Sequence, residues 1–237
     1  MIAMKPDVRR LSVLAHAILL LLSTVGLFGD AALQAQPELV GVSNAVRELA
    51  VGGMSAGVVV RLTGTSSEDV SPFDALLSMG RRMPEPLDKQ LSAKQLLETR
   101  LGKERLKDVN GVPLFIDPTA AACNRLLDAS IVLSGSRGMM ATVVAAFNQV
   151  AGQSVAEGAM GTCLPVAFTK SRRGTEKPSV LVGSLKEVLT AAAASEPGTV
   201  WVAVAAQDGT CTIGLVLQAE KGGTCRVQIG SPVKVIQ

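Results

Sequence analysis

The sequence predicts an α+β fold, with strand-helix-strand units mixed with a C-terminal meander of antiparallel hairpins. Three stretches carry that prediction. The run Ile131, Val132, Leu133 is followed by Met139, Met140, Val143, Val144, Phe147 and Val150 at spacings of three and four, so a short strand leads into a helix with one wholly apolar face. A second such unit runs from Val180 through a helix over 185–194 to a strand over 200–205. Beyond it, the segments Gln207-Asp208-Gly209-Thr210 and Glu220-Lys221-Gly222-Gly223 have the composition of hairpin turns on either side of a strand over 212–219.

Taken in order, residues 1–35 read as an export signal. Lys5, Arg9 and Arg10 supply its positive start, Leu11 to Phe28 its apolar run, and Ala31 or Ala35 a small residue for cleavage. Left uncleaved, the same run is about long enough to anchor the chain in a membrane. Residues 36–168 are expected to form an α+β domain, 169–177 a basic linker or loop, and 178–237 either a second unit or part of the first. A helix is predicted over 44–51, capped by Ser43 and ended by Gly52-Gly53, then a half-buried strand over 56–62 built on Val58-Val59-Val60. Ser71 with Pro72 and Asp74 starts a second helix. Ser92 and Gln95 form a capping box for a third, with Leu91 and Leu96 at the two ends of a hydrophobic staple and Gly102 as its stop. An Asn110-Gly111 turn, a strand over 114–116 and a helix from Asp117-Pro118 to about Leu127 complete the first half. Within the unit that follows, Ser136 is placed to cap the helix and Gly152 to close it, ahead of a strand towards Ala156. In the second half, Ser184 and Glu187 form another capping box.

Composition narrows the function classes. The chain has 237 residues, 48% of them apolar, enough for a sizeable core. It has no Tyr and a single Trp, so recognition of sugars or single-stranded nucleic acid by stacking finds few aromatic faces. A net charge of +3 demands no polyanionic partner, and nucleic acid is not expected as one. The only histidine, His16, lies inside the export signal, so the processed chain has no imidazole for a catalytic triad, a Cys-His pair or a metal site. No cofactor or metal is expected.

Four cysteines in an exported chain point to disulfides, and Cys123, Cys163, Cys211 and Cys225 allow three pairings. A tight turn at Glu220–Gly223 would put Cys225 opposite Gln218, leaving Cys211 about 23 Å along the strand. A disulfide needs Cα atoms within about 7 Å, which argues against Cys211 with Cys225 and favours bridges between the two halves.

Two motifs touch on chemistry. Gly53-Met54-Ser55-Ala56-Gly57 matches the G-x-S-x-G of a nucleophile elbow, but a helix precedes it and a strand follows, the reverse of the elbow's order. A histidine-free hydrolase using Ser55 is thus a rival reading, against a plain helix-to-strand connection. Gly135-Ser136-Arg137-Gly138, between a strand and a helix, could hold an anion at the helix start, or be only a cap. Self-assembly through the edges of the C-terminal hairpins is a third reading.

The segment Asn44-Ala45-Val46-Arg47-Glu48-Leu49-Ala50-Val51-Gly52 with the strand after it, and the segment from Ile131 to Val155 with its Phe147-Asn148-Gln149-Val150-Ala151-Gly152 helix end, resemble the two halves of the short periplasmic domain at the N-termini of secretins and TonB-dependent receptors. The resemblance implies a non-enzymatic protein–protein interaction module. The expectation is therefore an exported, periplasmic or secreted protein that binds another envelope protein and meets a membrane only through an uncleaved N-terminal segment.

Overall fold

The computed structural model describes residues 37–63, 71–80, 91–134, 139–153, 180–219 and 223–235. From Glu38 onward the chain forms one compact α+β unit. In chain order its elements are α1 (Pro37–Val51), β1 (Ala56–Arg61), α2 (Pro72–Met79), α3 (Ala93–Leu101), β2 (Leu106–Val109), β3 (Val112–Ile116), α4 (Ala121–Asp128), β4 (Ser130–Ser134), α5 (Met139–Ala151), β5 (Val180–Ser184), α6 (Leu185–Ser195), β6 (Thr199–Ala205), β7 (Thr210–Gln218) and β8 (Thr224–Lys234). Six strands form one mixed sheet in the order β2-β3-β1-β6-β7-β8, while β4 and β5 pair separately as a two-stranded ribbon. Strands from both sides of residues 169–177 thus share one sheet.

The strand β1 is parallel to both of its neighbours, β3 and β6. It is covered on both faces, so Val58, Val59 and Val60 are all buried, not half-buried as the run of valines suggests. The crossover from β1 to β3 carries α2 and α3, and the crossover from β3 to β6 steps back over β1 carrying α4, α5 and α6. The two steps run in opposite directions along the sheet, so crossovers of one hand deliver their helices to opposite faces. Alternate strand residues divide accordingly. Val58, Val60, Phe115, Val202 and Val204 pack with α1, α2 and α3, whereas Val59, Leu114, Trp201, Ala203 and Ile213 pack with α4, α5 and α6.

Several starts and registers differ from the sequence reading. Helix α1 begins at Pro37, so Ser43 is buried within it and does not cap it. Proline suits a first helical position, Glu38 favours the positive helix end, and Leu39, Val42, Val46 and Leu49 extend the buried stripe back to the start. Helix α4 starts only at Ala121, because Asp117 first closes a turn in which its Oδ1 accepts the Thr119 N–H at 2.9 Å and the Thr119 hydroxyl at 2.8 Å. The Asn110-Gly111 turn, with φ of 55° and 81°, joins β3 to an edge strand β2 whose Lys107 and Asp108 hide the strand pattern. In β8 the register sets Cys225 opposite Leu217, one residue from the expected Gln218. Leu91 stays 37% exposed while Leu96 is buried. Among the described residues no helix is long and apolar enough to cross a membrane.

Candidate functional site

Cys123 on α4 is bonded to Cys211 at the start of β7, with Cα atoms 5.0 Å apart across 88 residues of sequence. Both are fully buried, so the bond pins α4 to the sheet it covers. Cys225 on β8 is also disulfide-bonded. Cys163 lies outside the described residues. Register keeps Cys211 away from Cys225, since the first faces Val233 and the second Leu217 at the far end of the same strand pair.

Ser55 connects α1 to β1, in the helix-then-strand order read from the sequence. It stands at the N-terminal end of the parallel strands, opposite the carboxyl edge where sites in such sheets form. Its hydroxyl donates to the Glu196 carbonyl oxygen at 3.4 Å. At the carboxyl edge, β1 and β3 lead to helices on opposite faces, the topological position at which sheets of this kind bind ligands. The described chain there offers exposed Arg61 and an Asp117 whose carboxylate is engaged by Thr119. Among the described residues neither has an ion-pair partner. Among the described residues no group of three or more His, Cys, Asp or Glu could hold a metal ion. Gly135, Ser136, Arg137 and Gly138, the basic stretch 169–177 and His16 all lie outside the described residues.

The β4–β5 ribbon presents the most exposed large apolar side chains among the described residues. Val132 and Val182 are direct cross-strand partners, 57% and 72% exposed, on the face turned away from buried Ile131. Their alternation with Ile131 is the period of two that a ribbon with one covered face requires. No sequence signal singled out this pair, because the apolar runs at 131–133 and 180–182 read only as short strands, with no face distinguished. Free strand edges are blunted close by. Gln149 of α5 takes the Val132 N–H on its Oε1 at 3.2 Å, and Gln153 accepts the Ser231 N–H at 3.0 Å while donating to the Ser231 carbonyl oxygen at 3.1 Å. The second contact closes part of the β8 edge that self-assembly through the C-terminal hairpins would need.

A polar cluster lies where α1 meets the end of α2. The Arg47 guanidinium donates from Nη1 to the Gly80 carbonyl oxygen at 2.6 Å and from Nη2 to that of Leu77. The Ser43 hydroxyl and Arg226 Nη2, from β8, reach the same Leu77 oxygen at 3.4 Å each. These are orphan carbonyls at the negative end of a helix, where cations are favourable. Burial, and secondarily Arg226, hold the Arg47 pKa below its usual value. The next residue of α1, buried Glu48, receives Arg100 on both oxygens, Nε to Oε2 at 3.2 Å and Nη2 to Oε1 at 3.1 Å.

Comparison of the chain with protein-family models, with curated proteins and with solved structures returned no match.

Proposed function

We propose that this chain is an extracytoplasmic, non-enzymatic interaction module that docks another envelope protein on the outer face of the β4–β5 ribbon. The observation that carries the reading is the Val132–Val182 pair, two valines side by side in water on a ribbon outside the main sheet. Isolated apolar residues on a surface are ordinary, but two exposed valines side by side on one face of the ribbon support a contact with a partner. The cysteines support the compartment, because disulfides persist where thiols are not kept reduced, and Cys123, Cys211 and Cys225 are all bonded. The helix and strand segments that resemble the periplasmic domain of secretins and TonB-dependent receptors point to the same class of role.

A photo-crosslinking residue at position 182, expressed in the native host, tests the reading against the same residue at exposed position 94 on α3. The expected result is a discrete adduct from 182, absent from 94 and lost when Val132→Asp is added. Identical adducts from both positions, or none from 182, would remove the proposal.

A further inference from the structure

Around the Leu77 carbonyl oxygen the donors outnumber the acceptors. One carbonyl has two lone pairs, yet Arg47 Nη2, Arg226 Nη2 and the Ser43 hydroxyl all converge on it. Two of the three are cationic, and none of the ion pairs among the described residues involves Arg47 or Arg226. The Arg47 Nε is buried without a hydrogen-bond partner, as is Asn44 Oδ1 beside it. Space is tight on that side, since a Cβ on Gly80 would lie 2.7 Å from Ser43 Oγ and 2.8 Å from Asn44 Oδ1. Arg226 is half-buried, comes from the edge strand β8, and has one donor directed at Leu77 and the rest of its fork uncommitted to any described acceptor.

Half-buried like charges sharing one neutral acceptor are costly, and the economical remedy is an acceptor that is itself negative. We infer that the Arg47–Arg226 pair is an oxyanion site, taking a phosphate or a carboxylate on its two half-buried guanidiniums. The planar forks suit either group, because both offer two oxygens at the spacing of paired N–H donors. This site is separate from the ribbon and stands or falls independently of the docking reading.

Thermal unfolding of the full chain is followed while phosphate, or in a second series malonate, replaces chloride at constant ionic strength. The wild type is expected to show a saturable rise in Tm. Arg226→Met, which keeps the stem but removes the fork, is expected to weaken the response about tenfold or more, with Arg226→Lys between the two. A rise with phosphate alone assigns the site to phosphate-type ligands, and a rise with malonate alone to carboxylates. No rise with either anion, the result expected if a carboxylate of the chain itself already fills the place, overturns the proposal. An equal response in wild type and Arg226→Met overturns it as well. Should Arg226→Met fail to fold, the comparison of wild type with Arg226→Lys by phosphate calorimetry decides, and equal affinity counts against the site.

Discussion

Gly57 sits under the indole of Trp201 on the neighbouring strand, and a Cβ there would lie 2.3 Å from the ring and 2.6 Å from Leu114 Cδ2. Replacing a strand glycine by alanine ordinarily helps, but here it forces the largest side chain of the core to move. Gly57→Ala is expected to lower the unfolding free energy by about 3 kcal/mol, measured by urea denaturation. The glycine is visible in the sequence only as the last letter of a serine motif. Its packing role depends on β1 and β6 being neighbours, which residues 144 positions apart do not announce. Asp208 is the opposite case, a turn residue whose role its own neighbours set. Its Oδ1 accepts the Thr210 hydroxyl at 2.7 Å and the Thr210 N–H at 3.0 Å, and these bonds hold its pKa below the ordinary 3.8. A depressed carboxyl stabilises the fold fully above its ordinary value and loses that contribution as pH falls through the lower one. Asp208→Asn should therefore reduce Tm at neutral pH, with the gap to wild type closing as acid protonates the native carboxylate, as calorimetry across pH 7 to pH 2 would read.

At the scale of elements, starts marked by a side chain bonding its own backbone were the legible ones. Ser92 with Gln95 and Ser184 with Glu187 form full capping boxes, and both helices begin where the boxes place them. Ser71 also caps as read, accepting the Asp74 N–H, while its own hydroxyl goes to the Asp74 carboxylate. Ser184→Ala is predicted to cost about 1 kcal/mol in denaturant unfolding, against little change for the exposed Ser78→Ala. Less legible were elements defined by tertiary partners. The start of α1 was hidden because Ser43 is a good cap in isolation, yet in the fold it faces Leu77. Edge strand β2 was hidden because an exposed edge needs no apolar alternation. Glutamines 149 and 153 carry no motif, and their use as strand-edge partners appears only once α5 lies beside β4 and β8.

For the whole molecule, the α+β class and the hairpin meander followed from periodicity and turn chemistry, whereas the order of strands did not. The position of β1 between β3 and β6 decides that the valine run is doubly covered, and the reversal of crossover direction decides which face each helix takes. The same topology brings Cys123 to Cys211, a contact no spacing rule could select from three pairings. Closing a loop of 88 residues restricts the unfolded chain enough to contribute about 4–5 kcal/mol on the loop-entropy view. The Cys123→Ala/Cys211→Ala double variant is expected to lose a large part of that, read as a fall in the urea midpoint with the slope checked for two-state behaviour. With Cys123 and Cys211 joined and Cys225 bonded, peptide mapping is expected to recover Cys225 linked to Cys163.

The most direct test of an exported, disulfide-locked module is the intact mass of the protein recovered from its native host, alkylated either before or after reduction. The predicted result is a chain lacking its export segment, in which no thiol is modified before reduction and all four are modified after it. A full-length mass with thiols alkylated at once would contradict the compartment, return His16 and the four cysteines to candidacy for chemistry, and remove the ground on which an envelope partner is proposed.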